Sequence, residues 1–479
     1  MRTIYRILGL TSLLMCTAAN MTAQELQSAY FTEDFKYRHQ MNPALANDQG
    51  YFAIPVLGNI NIKVQGNFGV NDILYKNPNP AGKKTITFMH PSISYDQAMS
   101  AFSDNGIKTI GNVRLTLLSL GFKAWGGYNT FEVNDRTMFG LSLPKSLMEF
   151  AKGIENKNYT FDDIGARAYN FAEVALGHSR NFGNQLRLGM KLKAYIGAAR
   201  ADLTLNNMHA NLVGNTWTLE GQATGELNAD GIVLKSKTKE YKSKNGTYQR
   251  VDDIDKDDFK PIGGVGLGID LGAVYKVNSD FTVSAAINDL GFINWKNNIL
   301  AQTPGGTFTF DGFHDIAVDN DFAGPNQKID DQADSYADQL ADFLNLEDKG
   351  NQGSKTTMMA ATVNAAVEYK MPFYNRLSVG LLATHHFEGK NYSWTEGRLS
   401  ANWTPCRWID GGINVSAGTF GTGCGWILNI HPKAVNFFIG MDHIIAKTNE
   451  DMIPMSPNVN FSMGMNIAWG GGKKSQARQ

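Results

Sequence analysis

The stretch Val459-Asn460-Phe461-Ser462-Met463-Gly464-Met465-Asn466-Ile467-Ala468-Trp469 decides the fold. In an extended chain alternate side chains point to opposite faces. Val459, Phe461, Met463, Met465, Ile467 and Trp469 then make one wholly apolar face. Asn460, Ser462, Gly464, Asn466 and Ala468 make a face that is small or polar. The run outlasts the five or six residues of an average strand and has the length a tilted strand needs to cross a bilayer. Three other runs repeat it. Val265, Leu267, Ile269, Leu271, Ala273, Tyr275 and Val277 oppose Gly266, Gly268, Asp270, Gly272 and Lys276. Ile60, Ile62, Val64, Phe68 and Val70 oppose Asn61, Lys63, Gln65 and Asn67. Leu186, Leu188, Met190 and Leu192 oppose Arg187, Gly189, Lys191 and Lys193, which puts cations on the inner face. Lipid outside and a polar lumen inside give a membrane barrel this signature.

Working outward, the same pattern predicts strands near 60–70, 112–124, 129–143, 171–181, 184–199, 262–276, 280–289, 355–370, 375–388, 391–403, 407–418, 425–431, 434–445 and 458–469. That is about fourteen, an even number as in single-chain bacterial barrels. With the chain start in the periplasm, one side receives only tight turns, among them Trp125-Gly126-Gly127-Tyr128, Val277-Asn278-Ser279-Asp280 and Pro432-Lys433. The long connections 71–111, 144–170, 200–261, 290–354 and 446–457 all fall on the other side. Short periplasmic turns and long external loops are the expected asymmetry. The fold class is therefore all-β, a transmembrane antiparallel barrel of about fourteen strands with an N-terminal plug-like segment and long extracellular loops.

Composition agrees. The 479 residues carry a net charge of −1, 43% hydrophobic and 11% aromatic residues, and 49 glycines. A near-neutral chain lacks the basic face of a nucleic-acid binder. No run beyond the leader approaches the roughly 18 apolar residues of a spanning helix. The leader reads as a signal peptide over residues 1–23: Arg2 and Arg6, an apolar core from Ile7 to Met15, and cleavage after Ala23. The expected organisation is this leader, an N-terminal hatch-like segment over 24–58, the barrel over 59–470 and a basic tail over 471–479, with the protein in the outer membrane.

No motif points to an enzyme. Gly264, Gly266 and Gly268 are the small face of a strand rather than a dinucleotide fingerprint, since no third glycine opens a helix. No Gly-x-Ser-x-Gly elbow occurs. The adjacent His385 and His386 point to opposite faces of a strand and cannot share an ion. Asp253, Asp255 and Asp257 alternate like a calcium loop, but Asp258 stands where the turn-making Gly is needed. No catalytic residue, metal or cofactor is expected. Cys406 and Cys424 lie in turns at opposite ends of strand 407–418, about 35–40 Å apart, far beyond the roughly 7 Å a bridge spans, so both should be free. Two amphipathic helices are expected over the external loops. One uses Leu147, Met148, Phe150, Ala151 and Ile154; the other Ile329, Ala333, Tyr336, Leu340 and Phe343.

Asn42-Pro43-Ala44 after the leader, Leu143-Pro144 before a helix-like segment, and Ile287-Asn288-Asp289-Leu290-Gly291-Phe292-Ile293-Asn294-Trp295 after a glycine-alternating strand carry a resemblance. The chain resembles an uncharacterised Bacteroidota family of outer-membrane barrels related to the long-chain fatty-acid transporter and to the barrel protein of the type IX secretion system. The likeness covers nearly the whole mature chain and departs at the end, where Trp469 is followed by Gly470 to Gln479. In the transporter family the Asn-Pro-Ala segment belongs to a hatch plugging the lumen, which would give Asn42, Pro43 and Ala44 that role here. Two functions follow as expectations. One is passage of a hydrophobic small molecule through a plugged lumen, with Phe131, Phe139, Phe308 and Phe310 as its apolar lining. The other is a non-enzymatic scaffold whose loops bind protein partners in a secretion or surface-assembly complex. Outer-membrane lipid is the expected surrounding, and nucleic acid is not a partner.

Overall fold

The computed structural model describes residues 25–45, 47, 49–79, 85–314, 329–444 and 458–469. The predicted leader and the basic tail lie outside them.

Fourteen strands form the wall. β1 comes in two halves, Gly50–Ala53 and Ile60–Gly66. The rest are β2 Ile107–Ala124, β3 Gly127–Leu143, β4 Gly165–Phe182, β5 Leu186–Asn211, β6 Gly264–Lys276, β7 Phe281–Trp295, β8 Ala361–Lys370, β9 Leu377–Phe387, β10 Trp394–Cys406, β11 Ile409–Gly418, β12 Gly421–Ile430, β13 Val435–Met441 and β14 Val459–Trp469. Each pairs antiparallel with its neighbour in chain order. The ring closes where β14 pairs with both halves of β1, at Gly50↔Trp469 and Ile60↔Met463. Closure leaves the wall no unpaired edge.

The alternation read from the sequence sorts side chains as lipid and lumen require. Leu176, Leu192, Val265, Leu267, Leu381 and Ile413 point outward and are exposed, an apolar band made for acyl chains. Trp125, Phe182, Tyr275, Phe373, Tyr374, Trp403 and Trp408 stand exposed at or beside the tight turns, an aromatic girdle marking the periplasmic membrane–water interface. Lys63, Arg114, Glu132, Arg136, Glu173, Lys191, Lys193 and Arg398 point inward and are buried.

Several strand boundaries differ from expectation: β2 begins at Ile107, β4 at Gly165 and β8 at Ala361, and β7 runs on to Trp295. Two differences bear on the site. Gly50–Ala53 belongs to the wall and not to the N-terminal segment. Between the halves of β1, residues 54–59 leave the ladder. Ala53 and Ile60 are seven residues apart but their partners Asn466 and Met463 only three, so β1 carries four extra residues. Val56 takes φ 67° and Val56 and Leu57 are exposed. The interruption is tied down by Met465 N–H donating to the Leu57 carbonyl at 2.9 Å and Thr116 N–H to that of Asn59 at 3.1 Å. The second difference is that Cys424 sits within β12, opposite Val415, rather than in a turn. Cys406 and Cys424 are both free.

The external connections are more ordered than their polarity suggested. β5 pairs with β6 as far as Gly197, then continues from Ala199 to Asn211 against a loop strand, Trp217–Glu240. At about 3.3 Å per residue this extension rises about 40 Å along the strand. The strands Thr247–Lys260, Asn298–Gln302 and Thr307–Phe310 pair with the same loop strand. The expected helices form at Lys145–Lys152 and Ile329–Leu344, the first ending before Ile154, which is exposed.

Candidate functional site: a filled polar lumen

Residues 25–45, 47 and 49 run inside the barrel and touch the inner face of strands around it. Their core is aromatic. Phe35 meets Phe438 edge to face at 4.8 Å between centroids, Tyr37 meets Tyr51 at 5.7 Å, and Leu26, Phe31 and Met41 are buried with them. Polar atoms supply the orientation. Ser28 donates to the Asp442 carboxylate from its backbone N–H at 2.7 Å and from its hydroxyl at 2.6 Å, and Gln27 N–H adds a third bond at 3.1 Å. The Tyr37 hydroxyl donates to Asn466 at 2.7 Å and Gln40 to Glu132 at 2.7 Å. The Met41 carbonyl accepts from Asn288 at 2.8 Å and from Asn364 at 2.9 Å.

Asn42 is the hinge of the Asn42-Pro43-Ala44 stretch. Its side-chain oxygen accepts from Ala44 N–H at 2.9 Å, the local turn that asparagine favours. Its amide donates to the carbonyls of Ala273 and Ala285 on β6 and β7, each at 3.3 Å. The chain lies so close to the wall that a Cβ on Gly189 would come within 2.3 Å of the Pro43 backbone, and one on Gly380 within 2.4 Å of the Phe31 ring. Glycines on the inner face are thus where the segment seats. At the periplasmic end Asp34 meets Asp410 and His431, with their ligand atoms within 4.8 Å of one another. His431 hydrogen-bonds to Asp410, whose other oxygen accepts from Asn429 at 3.1 Å. Burial and the Asp410 charge push the Asp34 carboxyl up. His39 lies fully buried against the Tyr51 hydroxyl at 2.8 Å. Burial first, then Lys191, pushes its imidazole down to about 3 against the pull of Glu132.

Around the segment the wall contributes a belt of buried ion pairs. Arg136 bridges Glu173 at 2.8 Å and grips Asp289 with both terminal nitrogens, at 2.9 and 3.0 Å. Lys193 reaches Asp289 at 2.6 Å and Asp270 at 2.8 Å, and Lys191 reaches Glu132 at 2.6 Å. Charges in such surroundings hold only when paired and hydrogen-bonded. The belt and the segment together fill the inside of the wall at this level with paired charges and packed side chains.

Beyond the belt, on the external side, inward positions turn aromatic. Met138, Phe171, Tyr195, Ile293 and Trp295 form one cluster, and Ile110, Tyr392, Trp394 and Phe420 another. These are the apolar lumen residues that sequence reasoning missed. A signal existed: Met138 is in phase with Arg136, Phe171 with Glu173 and Tyr195 with Lys193. The lining expected from the sequence is corrected accordingly. Phe131 and Phe139 are out of phase with the buried Glu132 and Arg136, so they face outward. Phe308 packs in a loop cluster with Tyr159, Phe161 and Phe343, and Phe310 lies 4.8 Å from Tyr336. The four phenylalanines do not meet around one cavity.

Fold and site define a class, a membrane-spanning β-barrel whose lumen is filled by its own N-terminal segment. The chain belongs to the family described as "Family of unknown function (DUF5723)", whose model matches residues 43–442. No curated protein matches it. Among solved structures it is similar to the toluene transporter TbuX of Ralstonia pickettii, at 10% identity and a TM-score of 0.41 over 91% of this chain and 93% of that one. It is also similar to a FadL homologue of Pseudomonas aeruginosa, at 10% identity and a TM-score of 0.36 over 94% and 98%. A third is the translocator domain of the autotransporter NalP from Neisseria meningitidis, at 7% identity and a TM-score of 0.33 over 88% of each chain. The fold itself rests on the register of its own strands.

Proposed function

We propose that this protein lets a small apolar molecule cross the outer membrane, entering among the aromatic residues of the external lumen and leaving sideways through the wall. The observation that carries this reading is the interruption of β1. Its four extra residues open the ladder directly beside the N-terminal segment, where Asn59 donates to the Gln40 side chain at 3.2 Å and a Cβ on Gly58 would lie 3.0 Å from the Tyr37 hydroxyl. Movement of the segment is thereby mechanically linked to the weakest part of the wall. An apolar solute that steps into lipid avoids the buried charges that bar the axis. Deleting Pro55 to Gly58 restores equal spacing between β1 and β14. In proteoliposomes, passage of a monoaromatic or short-chain apolar probe should fall to the protein-free rate in this deletion while the barrel stays folded. Unchanged passage overturns the side exit.

A second reading has its own observation. The extension of β5, its loop strands and the acidic helix Ile329–Leu344 form a platform standing on the wall. Such a surface suits a scaffold that holds a protein partner outside the membrane. Removing 212–261, which leaves the wall strands intact, separates the two readings: passage survives under the first and partner binding is lost under the second.

A further inference from the structure

One groove on the molecule lies outside the lumen. It measures about 750 Å³ and crosses β4, β5, β6 and β7 on the lipid face, lined by Leu188, Met190, Leu271, Ala285 and Ile287, with His178, Arg180 and Phe182 at one end. Gly189, Gly272 and Ala286 form its floor. On the inner side of that floor lies Asn42-Pro43-Ala44, so one thickness of backbone separates groove and segment.

Arg180 is the unusual residue. It points outward, is exposed, and among the described residues no carboxylate lies in ion-pair range of it. An arginine on the lipid face costs about 2–4 kcal/mol at the bilayer midplane and about 0–1 kcal/mol near the interface. Arg180 precedes Phe182 of the girdle by two residues on the same face, so its guanidinium sits at headgroup depth. From there the groove runs towards the membrane centre and is apolar. A planar fork of donors at headgroup depth suits a phosphate, and an apolar trough beneath it suits an acyl chain. We propose that this groove binds one phospholipid of the periplasmic leaflet, its phosphate on Arg180 and an acyl chain over Met190, Leu271 and Ala285. The occupant comes from the bilayer because the groove opens only to lipid. The inference rests on the membrane-spanning barrel and not on the transport reading.

The test uses the full barrel extracted in mild detergent, delipidated, and offered phosphatidylglycerol or phosphatidylethanolamine, with retained lipid read by native mass spectrometry. One phospholipid should stay bound per barrel. Retention should fall about tenfold in Arg180→Gln, the loss of one charge-assisted contact, and equally in Ala285→Trp, which fills the groove. Inorganic phosphate should not displace the lipid. If Ala285→Trp fails to fold, Arg180→Gln with the same readout decides. No retained lipid in the native protein, retention unchanged in Arg180→Gln, or displacement by phosphate alone each overturns the proposal.

Discussion

Substituting Gly189 by valine probes how the N-terminal segment is held. The first atom of any side chain there would meet the Pro43 and Ala44 backbone at 2.3 to 2.5 Å, a contact that neither the wall nor the segment can absorb by turning a rotamer. The segment must lift. In lifting it loses the two bonds to the Met41 carbonyl and the two weaker ones from Asn42. A net hydrogen bond is worth about 1 kcal/mol, and a buried group left without a partner costs about 1–3 kcal/mol. Taking the two Met41 bonds as lost, with partial rehydration, gives about 3 kcal/mol against seating. By the tenfold-per-1.4 kcal/mol rule this is about a hundredfold shift. The wall should hardly notice, because its strand pairs are untouched. Hydrogen exchange followed by mass spectrometry reads this directly: protection of 25–49 should fall by about two orders of magnitude while β8 to β12 keep theirs. Gly153→Ala, where nothing lies within 4 Å, is the control. Unchanged protection of 25–49 in a folded Gly189→Val barrel would refute the seating argument.

Other perturbations test the remaining pieces. Phe131→Arg should destabilise the barrel in lipid by about 2–4 kcal/mol, as expected for a cation on the lipid face, measured by urea unfolding in bilayers; a lumen-facing residue would leave folding unchanged and alter passage. Arg136→Met leaves Glu173 and Asp289 short of a partner and should cost about 3–5 kcal/mol, read as a lower melting temperature in detergent. For pH, the His39 imidazole is held near 3 against an unfolded value of 6.5, so its contribution is present above pH 6.5 and is lost as pH falls from 6.5 towards 3. The slope is about 1.4 kcal/mol per pH unit within that window, and segment protection in His39→Asn should lose this component of its pH dependence.

The strands were legible because each crosses lipid. Alternation over the length of β14 or β6 has no cheaper explanation, and the sorting of short and long connections fixed their order. What stayed hidden lacked that constraint. Gly50–Ala53 is four residues long and ends at an interruption, too short for a period to appear. The extension of β5 beyond Ala199 leaves the membrane, where nothing enforces one apolar face, and it read as loop. The ion-pair belt depends on register. Glu132 and Lys191 are 59 residues apart and meet only because β4 between them brings Ala175 beside both Glu132 and Lys193. Phe131 and Phe139 obey the same period. Glu132, Asn134 and Arg136 declare the lumen face of β3, and Phe131 and Phe139 fall on the other.

The closure of the ring at Gly50↔Trp469 has a consequence for biogenesis. The two strands that meet are the first and last of the wall, and the segment filling the lumen is joined without a break to the first. The closed wall leaves its two ends as the routes for the segment, and bonds from the segment reach both strands of the seam, His39 to Tyr51 and Tyr37 to Asn466. Pairing the extremes of so long a chain carries a loop-closure cost, and these contacts of the N-terminal segment with β1 and β14 tie together the two strands that meet. The occupant of the lumen is in this sense also a clasp across the seam of the wall.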